Sequence, residues 1–470
     1  MAHKFSPLLL LLTVVTLLTS CLGSTDDDTD NGYTFYDDAG LTSFSLGTLT
    51  WVRDTVTASG ADSTYTTTLS ASDYDFYIDQ ANAQIYNVDS LPYGTRLDKV
   101  ALSTGSKNSS YVYLKSLTSD SLTYCSSGDT IDVRQPRTLR VVSLNGTTWR
   151  DYTVTVNVHK QKPNDLVWSS YETNGTLNGY TKMKALVKGD SVYVVGTDGQ
   201  TTSLTATAIN DPTHWEALSA DINQAFSAEA YKSAVVKGAY IYLLTNGIVL
   251  RTADGKHYEQ VTTNAQLKQL VGATSTQLYA LSTDGELLYS TDNGASWQAD
   301  LISGDSQYLP QTDISYVCQS VRTNSDMEQV LLVAKNAALS RAISWTKIVD
   351  FGNNSVQYPW NFVNSGAEER YPLPAYDCLS VVSYNGGVLA FGMQSDGTTS
   401  ICLFSHDFGI TWKENIYLYL PTAFAPQEGV FAAATDSENH LWLIEKGTGK
   451  VWRGRLNKLG WASNKRNVTE

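Results

Sequence analysis

Ser290-Thr291-Asp292-Asn293-Gly294-Ala295-Ser296-Trp297 decides how the rest of the chain is read. It follows the apolar run Leu287-Leu288-Tyr289, and its residues suit a tight hairpin turn. The aspartate accepts backbone hydrogen bonds, the glycine takes a conformation closed to other residues, and the tryptophan tucks under the turn. The pattern returns at Ser405-His406-Asp407-Phe408-Gly409-Ile410-Thr411-Trp412, after Ile401-Cys402-Leu403-Phe404. Reduced copies align on the aromatic. Arg251 to Tyr258 keeps the glycine and an aromatic, Asn210 to Trp215 keeps the tryptophan, Ser340 to Trp345 is shortened, and Trp461 ends a last copy. The aromatics Trp215, Tyr258, Trp297, Trp345, Trp412 and Trp461 are spaced by 43, 39, 48, 67 and 49 residues. A period of roughly 40–50 residues is the length of one four-stranded propeller blade, with one long insertion here.

The S-x-D-x-G-x-x-W pattern resembles the Asp-box, or BNR repeat, of sialidases, xyloglucanases, sortilin-type receptors and photosystem assembly factors. These share the blade turn and little chemistry. The resemblance implies an Asp-box β-propeller over residues 162–465, with six blades and seven as the alternative count. It also implies structural roles for Ser290, Asp292, Gly294, Trp297, Ser405, Asp407, Gly409 and Trp412. Leu166-Val167-Trp168 reads as an outermost strand without its own blade, which would close the ring by completing the last blade, begun near Val430. Closure of that kind protects sheet edges.

Residues 33–161 read as a separate β domain, and Lys162-Pro163-Asn164-Asp165 as the linker after it. Thr138 to Val142, the turn Asn145-Gly146 and the alternating Tyr152-Thr153-Val154-Thr155-Val156-Asn157-Val158 predict a hairpin with its valines on one face. This ending resembles the closing hairpin of bacterial immunoglobulin-like domains, which implies a β-sandwich. The expected fold class is therefore all-β, an Ig-like sandwich followed by a propeller.

At the other end, Lys4 precedes an apolar run from Leu8 to Leu18, too short to span a bilayer. Leu18-Thr19-Ser20-Cys21 resembles a lipobox, which implies a signal peptide over residues 1–20 and lipidation of Cys21. Multiple acyl chains would hold the mature protein on a membrane. Residues 21–32 carry Asp26-Asp27-Asp28 and read as an acidic tether. The run resembles the export signal of surface lipoproteins of Bacteroidota, which implies the outer face of the outer membrane, and it also suits a plain solvated linker.

Composition narrows the function. The 470-residue chain has a formal net charge of −14 and only 17% charged residues, against 28 Tyr and 11 Trp. Clustered Lys and Arg, which nucleic acid needs, are missing. Cys125, Cys318, Cys378 and Cys402 show no metal spacing and are expected as buried free thiols. No histidine pair has ligand spacing, and no phosphate loop or nucleophile elbow is present, so neither metal nor cofactor is expected. A sialidase carboxylate clamp needs several arginines, and the propeller region has only Arg251, Arg322, Arg341, Arg370, Arg453 and Arg455.

The long insertion from Val349 to Asp377 is the most irregular feature. Long loops on rigid scaffolds often carry function, so Tyr358, Trp360, Arg370 and Tyr371 are the candidate ligand-binding residues; packing of Trp360 and Tyr371 onto the fold is the plain alternative. Taken whole, the chain resembles a family of Bacteroidota lipoproteins with a domain of unknown function. The carriers are the lipobox, Ile85 to Thr95, Tyr371 to Pro374 and Val451 to Trp461. The expected function is a non-catalytic, surface-anchored binding or scaffold module for a glycan or protein ligand; no catalytic residue is assigned. The alternative is a propeller-type glycoside hydrolase using two carboxylates.

Overall fold

The computed structural model describes residues 36–462, apart from 174, 353–355, 364–370 and 394–401. Cys21, the tether and Arg370 lie outside the described residues. The chain divides between His159 and Lys160 into two compact units.

In the first unit, Arg137–Val142 and Trp149–Thr155 form the hairpin expected around Asn145-Gly146. Gly146 takes a φ of +72°, as the turn demands. The pair sits within a six-stranded sheet, where Thr153–Thr155 also run parallel to Gln84–Tyr86. A three-stranded sheet of Leu41–Leu46, Val100–Ser106 and Thr130–Ile131 supplies Leu41, Val100 and Leu102 to a core shared with Ile85, Leu139, Val141, Tyr152 and Val154. The alternation read from the sequence is thus what fills this core.

The second unit, Lys160–Trp461, is a β-propeller. Among the described residues it holds six successive sheets. Their innermost strands are Lys182–Lys188, Val235–Lys237, Leu267–Ala273, Thr312–Val321, Asp377–Tyr384 and Phe431–Thr435. Each neighbours the next, and the sixth neighbours the first. The sheets are called one to six below.

Alternation explains how the sheets pack. On the second strand of sheet one, Val192 and Val194 face Trp442 and Ile444 of sheet six. Tyr193 and Val195 point the other way, to Ile241 and Leu243 of sheet two. On Tyr240–Thr245, Tyr242 and Leu244 in turn meet Leu278 and Ala280 of sheet three. Both faces of each middle strand are covered, so these strands read as unbroken apolar runs rather than as alternating ones. The outermost strand of sheet six is Leu166–Tyr171, antiparallel to Val451–Leu456. Trp168 lies directly on Gly454, where a Cβ would come within 2.4 Å of its ring.

The Ser-Asp-Gly turns join the third and fourth strands of sheets three and five. In both, the serine hydroxyl donates to the aspartate at 2.8 Å and accepts from the glycine N–H. Asp292 accepts from Ser296 N at 2.9 Å, and Asp407 from Thr411 N at 2.8 Å. Trp297 Nε1 closes its turn onto Gly294 O at 3.0 Å. The same network appears in sheet two in a shorter form. Thr252 Oγ1 accepts from Gly255 N at 2.8 Å, and Asp254 accepts from His257 N at 2.8 Å. Asp254 was missed by aligning on the aromatic alone, because this turn is one residue shorter.

The fourth copy is a correction. Trp345 lies inside the third strand of sheet four, Ile343–Asp350, and not after a turn. Trp360 begins the fourth strand, Trp360–Phe362, which is the place held by Trp215, Tyr258, Trp297 and Trp412 in their sheets. The 67-residue gap arises from that misplaced anchor as much as from the insertion.

Hydrogen bonds from Ser296 N and Oγ hold the Asp292 carboxyl down at about 2. Its folded value lies below the unfolded one, so the turn's contribution is complete above about pH 4 and is lost as pH falls toward about 2. Asp292→Asn is expected to melt below the wild type near pH 6, and the gap should close as pH approaches about 2.5. Thermal unfolding across that range checks it.

Candidate functional site

The innermost strands surround a channel of about 1240 Å³. Its wall is mixed. Sheet six gives uncharged residues centred on Ala432-Ala433-Ala434, whereas sheets one to five give charged side chains, with aromatic ones from sheets two and four.

One mouth carries a cluster. Asp313 and Cys378 each sit at the start of an innermost strand, in sheets four and five, at a break in strand register. Their φ values are +50° and +52°, a region costly for any residue but glycine. Such bulges re-aim side chains and occur next to active sites. Lys335, on the strand beside Thr312, reaches both carboxylates, with Nζ 3.6 Å from Asp313 and a short contact to Asp377. Burial, then Asp313 and Asp377, push the Cys378 thiol up, while Lys182 and Lys335 oppose them. Burial, then Glu229, Asp313 and Cys378, push the Tyr231 phenol up. These mutual effects place Tyr231, Asp313, Cys378 and Lys182 at one end of the channel. Glu229 pairs with Lys232 there.

Deeper in, Lys184 of sheet one reaches the ring of Tyr316 in sheet four, with Nζ 5.5 Å from its centre. The side chain is half-buried on the channel wall, and burial pulls its ammonium down to about 8. Burial and then Cys318 push the Tyr316 phenol up. Glu328 accepts from Ser275 N and Oγ, both at 2.8 Å. No arginine lines the channel among the described residues. Arg251 is held by Glu259 at 2.7 Å, and Arg453 by Asp436 and Glu438 at 3.2 and 3.1 Å.

The insertion residues scatter. Trp360 is fully buried and donates from Nε1 to Asp300 Oδ2 at 2.8 Å, so it has no face to offer a ligand. This corrects its place among the binding candidates; it is a core residue because it fills the position of a turn tryptophan. Tyr358 is half-buried. Tyr371 is 53% exposed, with a φ of +67° and Lys413 Nζ 4.6 Å over its ring. Its carbonyl accepts from Trp412 N at 3.0 Å, which ties the loop to the turn of sheet five. The four cysteines are free thiols; Cys402 is buried and the other three are half-buried, which corrects the expectation of full burial. Sequence reasoning missed the channel mouth, since Asp313 and Cys378 carry no local signature.

The fold and this channel define a β-propeller protein with a separate β domain ahead of it. Models of the DUF6242 family match both parts, its N-terminal domain over residues 44–156 and its beta propeller domain over residues 162–464. The chain belongs to that family, a domain of unknown function. No functionally curated protein matches it. Among solved structures it is similar to YCF48 bound to D1 peptide, at 15% identity over 63% of this chain and 96% of that one, with a TM-score of 0.37. It is similar to luciferin-regenerating enzyme at 10% identity over 63% and 98%, with a TM-score of 0.39. A Trichoderma reesei protein of Carbohydrate-Active Enzymes Family AA12 aligns at 10% identity over 64% and 100%, with a TM-score of 0.36.

Proposed function

We propose that the protein is a non-catalytic binding module, anchored to the outer membrane through lipidated Cys21 and displayed on the cell surface. In this reading an Ig-like domain carries a six-bladed Asp-box propeller, whose channel takes a glycan or protein segment. One observation carries it: the carboxylates at the channel mouth are already tied to lysines, Asp313 and Asp377 to the single ammonium of Lys335 and Glu229 to Lys232. Such an arrangement suits fixed polar recognition and leaves neither carboxylate of this pair free to act as acid or base. Exposed Tyr371, on the insertion, adds a second aromatic surface.

The hydrolase reading keeps one observation in its favour, since those two carboxylates do converge beside two left-handed residues. A single assay separates the readings. The chain from Gly32 onward is presented with a panel of glycans, and bound ligand and released reducing ends are read from the same wells. Saturable binding without release is expected. Release that disappears in Asp313→Asn would replace the binding module with the hydrolase. If Tyr371 contributes, Tyr371→Ala should weaken binding on the order of tenfold, the loss of one stacking face.

A further inference from the structure

We propose that the channel is a receptor for an acidic sugar, whose carboxylate is taken by Lys184 and by Lys182 and Lys268, and whose ring stacks on Tyr316. The proposal rests on the binding-module reading and names its ligand class.

Charge pairing around the channel comes first. Glu229 is matched by Lys232, Asp313 and Asp377 by Lys335, and Glu328 by the Ser275 amide and hydroxyl. Lys184, Lys182 and Lys268 have no carboxylate partner among the described residues. Lys237, also on the wall, donates to the Asn293 amide oxygen at 2.7 Å, which leaves three ammonium groups without an ion-pair or hydrogen-bond partner among the described residues lining a cavity in a protein of formal charge −14. An ammonium half withdrawn from water is not a neutral choice for a wall: desolvating it is costly, and an anion beside it is screened far less than at an open surface.

The second observation is Tyr316. Its ring lies on Gly272, where a Cβ would approach to 3.3 Å, and its hydroxyl meets the backbone of Val236. The backbone of sheets two and three thus fixes the ring in the channel wall, and Lys184 reaches it from sheet one. A cation and an aromatic plane held together match a carboxylate on a compact apolar-faced ring, which is a hexuronate. Thr312 and Ser380 supply hydroxyls along the same wall, and Ala432 to Ala434 of the adjoining sheet six add only small side chains beside them. The volume of about 1240 Å³ exceeds the roughly 300–1,000 Å³ of a drug-sized pocket, so a disaccharide has room.

The test is calorimetric titration of the chain from Gly32 onward, with both units retained, at low and at physiological salt. The probes are a digalacturonate and the neutral digalactoside. Saturable binding of the uronate is expected, on the order of tenfold tighter than the neutral sugar and weaker at the higher salt. Lys184→Met should lose about tenfold, and Lys184→Arg should stay near wild type. Should Lys184→Met fail to fold, the double variant Lys182→Met, Lys268→Met serves, since both positions are exposed. Equal binding of the two sugars, or uronate binding untouched by these variants, overturns the acidic-sugar proposal and leaves the binding module standing. No uronate binding likewise overturns it. The wider glycan panel and Tyr371→Ala then judge the binding module by itself.

Discussion

Lys347→Met is expected to destabilise the propeller by about 3–5 kcal/mol, the cost of leaving one partner of a buried ion pair alone. The Lys347 and Asp300 side chains are each 1% exposed, with Nζ 2.5 and 2.7 Å from the two carboxylate oxygens. Asp300 also accepts from Trp360 Nε1, and the ammonium lies 5.5–6.0 Å from the rings of Tyr279, Tyr289 and Trp360. Burial pulls the Lys347 ammonium down and Asp300 holds it up, with the net shift downward. Removing the lysine leaves a buried carboxylate with only two neutral donors, Trp360 Nε1 at 2.8 Å and Leu301 N at 2.9 Å. Chemical denaturation should show the loss directly, and the melting temperature should fall on the order of 10 °C. The double variant Asp300→Leu, Lys347→Met should be more stable than either single variant, because a well-packed apolar pair replaces a buried ion pair at little cost. A double variant as unstable as the sum of the singles would show that the aromatic cage needs the charge.

Gly454→Val is expected to loosen the strand that completes sheet six. The added side chain would enter the ring of Trp168, whose Nε1 donates to Tyr419 O at 2.9 Å. Overpacking of this kind costs about 1–3 kcal/mol, and here it also displaces an edge strand. Amide exchange within Leu166–Tyr171 should accelerate well before the other sheets respond. Trp168→Ala in the same background should restore much of the protection, since it removes the clash. Uniform acceleration across all the sheets would instead mean that closure and folding are one event.

Much of the architecture was legible because turn chemistry is local. The Asn145-Gly146 hairpin, the Asp292 and Asp407 turns and the outermost strand at Leu166 each announce themselves within a few residues. Sheet four did not, because an aromatic anchor without its aspartate aligns equally well on Trp345 and Trp360; the strand that follows the turn tells them apart, and only pairing reveals it. The channel was illegible for a different reason. Lys184 alternates with Met183 and Ala185 as any solvent-facing residue would, and alternation does not distinguish a central channel from the outer surface. The left-handed residues Asp313 and Cys378 are imposed by neighbouring strands, so their strain has no sequence signature.

Leu166 is bonded in register to Leu456, almost the whole length of the unit away. A seam of that kind governs the order of events in folding. The first strand of the unit has no partner until the last has formed, and joining such distant segments carries an entropic cost before any contact repays it. The incomplete unit presents an unpaired strand edge throughout its synthesis, which is the form most exposed to aggregation. Closure of this seam is therefore a late step that waits for the last strand of the unit.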